Sequence, residues 1–122
     1  MAITINIRYK GENGNAEKFA REMMASGTVD AIRKESGNLS YEYYRPFDEP
    51  ETILLIDSWD SQEALDIHHS SPMMKTIADL REKYDLHMTV ERYVSANAPQ
   101  SDDRFIKKSN QFYAAPEEIK ND

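Results

Sequence analysis

The chain contains no cysteine, which excludes a disulfide framework, thiolate catalysis and any cysteine-ligated zinc or iron–sulfur centre. Glycine is nearly as scarce. Its four residues are scattered, so no loop forms the glycine-rich cradle of a phosphate, nucleotide or flavin. The three histidines stand at 68, 69 and 87, a spacing that suits no zincin helix, and carboxylates and histidines nowhere fall at ligand intervals. The expectation is therefore no metal and no bound cofactor. No apolar run approaches the ~20 residues that cross a bilayer, and the amino terminus lacks the basic and apolar stretches of an export signal, which together read as a cytoplasmic protein. Basic residues are the minority, 15 against 22 acidic, and the net charge of -7 opposes attraction to a nucleic acid backbone.

What is present is enough for one domain with a modest core of its own: 122 residues. Residues 2 to 9 alternate Ile3, Ile5, Ile7 and Tyr9 against Thr4, Asn6 and Arg8, the period of a strand. From Asn15, apolar residues at Ala16, Phe19, Ala20, Met23 and Met24 follow helical spacing. That helix is predicted to run to about Glu35, with Gly27 a weak point and Gly37 a carboxyl-terminal cap. "NLSYEYYRP" sets Leu39, Tyr41 and Tyr43 against Ser40, Glu42 and Tyr44, a second strand ended by Pro46. "TILLIDSW" is a third, almost continuously apolar, as when both faces are covered.

Asp60 with Glu63 makes a capping-box pattern for a second helix, and Ser71 with Pro72 marks the start of another, whose stripe is Met73, Ile77, Leu80 and Tyr84. Residues 86 to 94 form a fourth strand, Met88, Val90 and Val94 alternating with Thr89, Glu91 and Tyr93. The order β-α-β-β-α-β predicts an α+β, ferredoxin-like split βαβ fold: a four-stranded antiparallel sheet with helices on one face. Strands 3 and 4 read as apolar on both faces, so the bare side of the sheet calls for a second subunit, a homodimer packed sheet to sheet. Residues 1–95 make this domain. Residues 96–122 turn polar but keep Phe105, Ile106, Phe112, Tyr113 and Ile119, which favours an extension docked as an arm on its own or the partner subunit over a disordered tail.

With that order in place, "SGNLSYEYYR", "IDSWDSQEALDIHHSSP" and the closing strand resemble the antibiotic biosynthesis monooxygenase (ABM) domain family, within the dimeric α+β barrel superfamily. The resemblance spans residues 3 to 95. It rests on Gly37 to Tyr41, on Trp59 closing the third strand, on Asp60 to Leu65, and on His68 followed by Ser71 and Pro72. It marks a fold more sharply than an activity, because similar domains include quinol monooxygenases and an isomerase of a phosphorylated metabolite.

His68 shares a helical face with Ala64, and if that face packs on the sheet its imidazole points into the cleft, where it could take a proton from a phenolic or quinol hydroxyl. A histidine bonded to backbone at a helix end is the equal alternative. His69 lies about 100° further round the helix, toward solvent or a dimer contact. Asn6 is the second catalytic candidate, able to hold dioxygen or a substrate oxygen, with a plain structural asparagine its alternative. The resemblance implies an asparagine near this place in a haem-degrading branch. That branch also needs a tryptophan where His68 stands and an iron-ligating histidine where Ala78 stands, which disfavours haem. Trp59, Tyr41 and Tyr44 could wall a pocket for a flat ring, although aromatics in strands are ordinary core. Arg45 could meet an anionic group, and Met73, core by its spacing, completes the substrate-binding set. The resemblance implies a cofactor-independent monooxygenase that draws electrons from its own aromatic substrate, a polyphenol or quinol. Two alternatives stay open: an isomerase or detoxifying enzyme for a small oxygenated metabolite, and a non-catalytic dimer that binds a small ligand.

Overall fold

The structure, a computed structural model, describes residues 1–108. The tail anchors Phe112, Tyr113 and Ile119 lie outside the described residues. The elements are β1 (Ile3–Lys10), α1 (Asn15–Ala25), α2 (Thr28–Arg33), β2 (Asn38–Tyr44), β3 (Thr52–Trp59), α3 (Gln62–His69), α4 (Met73–Lys83) and β4 (His87–Val94), followed by a 3-10 turn at Gln100–Phe105. The strands pair in the order β2-β3-β1-β4, all antiparallel. This is the predicted four-stranded α+β sheet, with the two helical crossovers bringing β1 and β3 to its centre.

The predicted single helix after β1 is two helices. Gly27 adopts a left-handed φ of 82°, which ends the rise of α1 and redirects the chain, and a hydroxyl pair, Ser26 Oγ and Thr28 Oγ1 at 2.7 Å, braces the bend. The caps also differ from expectation. Ser61, not Asp60, caps α3, its Oγ accepting from Ala64 N at 3.1 Å. Ser71 makes no side-chain cap on α4; its hydroxyl is buried without a partner among the described residues. Lys34, not Gly37, closes α2; Gly37 follows in the connection at φ 85° and receives Asp60 N–H on its carbonyl at 2.8 Å, which fastens the start of β2 to the end of β3.

Register sorts the side chains. Ile3, Ile5, Ile7 and Tyr9 share a face with Trp59, Asp57, Leu55 and Ile53 on β3, with Tyr41 and Tyr43 on β2, and with Val94, Arg92, Val90 and Met88 on β4. The helices cover this face, and Phe19, Met23, Val29, Ile32, Leu65 and Ile77 bury themselves against it. Leu39 departs from the predicted alternation: the register shifts between Asn38 and Ser40, and Leu39 is turned out to solvent. The opposite face carries Thr4, Asn6 and Arg8, Leu54, Ile56 and Ser58, Glu42 and Tyr44, and Thr89, Glu91 and Tyr93. It is therefore less apolar than the sequence led us to expect. The valines of β4 belong to the helix side, and only β3 presents aliphatic side chains both ways.

Candidate functional site

The helical layer stops short of β4. Met88 and Val90 remain 37 % and 53 % exposed on the side that the helices should cover. Between this strip, the middle of β1 and β3, and the inner surface of α3 and α4 lies a cavity of about 360 Å³. Its floor is Ile5, Ile7 and Leu55, its roof Leu65, Met74 and Ile77, and polar groups enter at its two ends.

At the inner end stands His68. The last turn of α3 points it down onto the sheet, where it is 4 % exposed. Its ring stacks on Trp59 with centroids 4.6 Å apart, and meets the Tyr41 ring edge-on at 6.4 Å. Nδ1 lies 2.7 Å from Glu35 Oε1, itself largely buried where the chain leaves α2. A nitrogen that close to a carboxylate must carry the proton, so in the neutral ring Nε2 is the basic nitrogen. A histidine held by stacking and by a carboxylate behind it resembles the base-and-orienter pairs of hydrolytic enzymes in its logic, though nothing here serves as their nucleophile.

Asp57 is the second polar group of the inner end. It follows Leu55 on the inward face of β3, is 4 % exposed, and lines the cavity. Oδ2 accepts the Trp59 indole N–H at 2.7 Å, while Oδ1 is buried without a partner among the described residues. Burial pushes this carboxyl above its ordinary range, against the opposing pull of the Trp59 bond and of His68. Burial likewise raises the Tyr9 phenol to about 12 and lifts that of Tyr41. A hydrogen-bonding wall results, suited to a polar atom of a bound ring.

At the outer end, Arg81 from α4 and Arg92 from β4 line the cavity, with Gln62 and the exposed His69 beside them. Arg92 donates to Gln62 Oε1, and Arg81 to the Met88 sulfur at 3.6 Å.

The structure gathers only some of the residues singled out in the sequence. His68 and Tyr41 line the cavity, and Trp59 lies behind His68, fully buried, as its stacking partner. Asn6 does not join them, because alternation along β1 sends it to the other face of the sheet, between Ile56 and Glu91. Tyr44 sits on that far face too, at the end of β2, and Arg45 is engaged by Glu17 of α1. Both border a separate shallow groove. Met73 packs on the core, and it is its neighbour Met74 that reaches the cavity. Glu35, Asp57, Arg81 and Arg92 escaped the sequence reading. Asp57 alone had a signal there, since it keeps the inward parity of Ile53, Leu55 and Trp59.

The family model for antibiotic biosynthesis monooxygenase matches residues 2–80, from β1 through most of α4. Solved structures agree on the fold. A candidate antibiotic biosynthesis monooxygenase from Deinococcus radiodurans superposes with a TM-score of 0.69 at 19 % identity, over 82 % of this chain and 97 % of its own. A conserved protein from Methanosarcina mazei gives 0.68 at 21 % identity, over 79 % and 94 %. SnoaB, a cofactor-independent oxygenase from Streptomyces nogalater, gives 0.66 at 13 % identity, over 81 % and 97 %. No curated protein matches the chain.

Proposed function

The chain belongs to the antibiotic biosynthesis monooxygenase family, and on that premise we propose that it is a cofactor-independent monooxygenase whose substrate is a small electron-rich aromatic, a quinol or polyphenol. The observation that carries the reading is the Glu35-backed imidazole of His68 on the wall of a cavity large enough for a substituted ring. SnoaB, described as a cofactor-independent oxygenase, shares the fold and supports the same reading.

The chemistry follows from those groups. His68 Nε2 takes the proton of a ring hydroxyl while Nδ1–H donates to Glu35, so the positive charge that develops is met by a carboxylate already in place. The resulting phenolate is rich enough to give electrons to dioxygen directly. One oxygen atom bonds to a ring carbon, the O–O bond breaks, and the other oxygen leaves as water; a quinol plus dioxygen becomes a hydroxyquinone plus water, the ring supplying all the electrons. Asp57 Oδ1 and the Tyr41 hydroxyl orient the ring, and Trp59 fixes the imidazole plane.

Oxygen uptake with a panel of quinols and polyphenols tests this. Uptake is expected with at least one of them, falling by roughly 10²- to 10⁴-fold in His68→Ala. Ligand binding without uptake, unchanged in His68→Ala, would instead favour a non-catalytic binding protein.

Homodimerisation through the helix-free face belongs to the same proposal. Its support is the Asn6 Oδ1 atom, buried without a partner among the described residues in the middle of that face, beside half-buried Leu54 and Ile56 and exposed Tyr44 and Tyr93.

A further inference from the structure

Two arginines at one cavity carry more than the proposed activity requires. The chain has 22 acidic residues, yet among the described residues neither Arg81 nor Arg92 lies within ion-pair distance of any carboxylate. Arg21 and Arg45, by contrast, both engage Glu17. Arg92 is spent on a neutral amide and Arg81 on a thioether, partners that satisfy a donor without neutralising a charge.

Their place in the sheet sets a direction. Ile5 of β1 pairs with Asp57 on one side and Arg92 on the other, so these two inward residues flank it in one cross-strand row. Their backbones stand about 10 Å apart, two strand spacings. Arg81 joins from above, near Met88. The cavity thus has a polar inner end, Asp57 with His68, and a cationic outer end, with apolar Ile5 and Ile7 between. A guanidinium needs an anion, and its fork suits the two oxygens of a carboxylate or phosphate.

We infer that the cavity is built for an anionic substrate, a hydroxylated ring that carries a carboxylate or phosphate group, its hydroxyl at Asp57 and His68 and its anion between Arg81 and Arg92. This rests on the proposed function for the hydroxyl end alone; the anion end stands on the two arginines whatever reaction follows. Neutral quinols of the same size are the poorer ligands, lacking a group to displace water from the guanidinium pair.

Trp59 is the only tryptophan of the chain and stacks on a cavity residue, which makes its fluorescence a reporter of occupancy. Titration under nitrogen, so that no turnover intervenes, compares hydroquinone with 2,5-dihydroxyphenylacetate and 4-hydroxyphenyl phosphate. At least one anion is expected to bind tenfold or more tightly than hydroquinone, and which one does so identifies the anion. The preference should shrink as ionic strength rises and disappear in Arg81→Gln/Arg92→Gln, with Arg92→Gln alone as a milder variant; Arg21→Gln, on the exposed side of α1, should retain it. Equal affinities for the neutral and anionic ligands, or a preference that survives loss of both arginines, overturns the inference. Tight anion binding with no oxygen uptake would leave it standing and sink the monooxygenase reading instead.

Discussion

Because Nδ1 of His68 lies 2.7 Å from Glu35 Oε1, Glu35→Gln keeps a hydrogen-bond acceptor but removes the charge that favours the protonated ring. Turnover is expected to fall by about tenfold or more, roughly 1.4 kcal/mol of barrier, with KM little changed, as read from steady-state oxygen uptake. Asp57 tests the other wall through stability. Its folded carboxyl holds a proton above the ordinary value of 3.8, so the folded state binds that proton more strongly than the unfolded chain does. Stability is full at pH below the ordinary value and declines as pH rises through the raised one. Asp57→Asn removes the decline: its melting temperature should exceed that of the unaltered protein at neutral pH, and the gap should close toward about pH 4. At this scale His68 was half legible: helical spacing put it on the face of Ala64, and only the packing of that face on the sheet chose the cavity over a backbone bond at the helix end. Glu35 was not, because the contact joins positions 33 residues apart, and what brings them together is the break at Gly27.

Elements owe their positions here to a few turns and caps. Gly37 must adopt a positive φ of 85°, and a Cβ there would come within 2.5 Å of the Ala64 Cβ and 2.6 Å of Asp60 Oδ1. Gly37→Ala therefore meets both backbone strain and a clash with the first turn of α3. The expected loss is about 2 kcal/mol or more in denaturant unfolding, with a weakened cavity, since α3 carries His68. Ser61→Ala removes the amino-terminal side-chain cap of α3 and should cost about 1 kcal/mol. The strands and the helix faces could be read from periods of two and 3.6, and so could the starts of α3 and α4 to within a residue. Which side chain caps α3 could not: Asp60 and Ser61 are both good capping residues, and the choice falls to backbone direction at the end of β3, where the Asp60 N–H is committed to Gly37.

For the whole molecule, the test is association. Light scattering or sedimentation should give twice the chain mass, and Ile56→Glu, at the centre of the helix-free face, should return it to the mass of one chain while leaving the helical circular dichroism in place. A chain that stays single at micromolar concentration would leave Asn6 Oδ1 without the partner proposed for it. The sequence by itself determined the order of elements, the antiparallel sheet, the family and the helical face that His68 shares with Ala64, because each depends on local periodicity or on residues close together in the chain. Only the tertiary structure decided which polar groups meet. Strand register turned Asn6 away from the cavity and Asp57 into it, a bend at one glycine delivered Glu35, and a helical layer that ends before β4 left Arg81 and Arg92 facing open space. Such meetings join residues distant in sequence, and pairing and packing choose them, neither of which leaves a period to read.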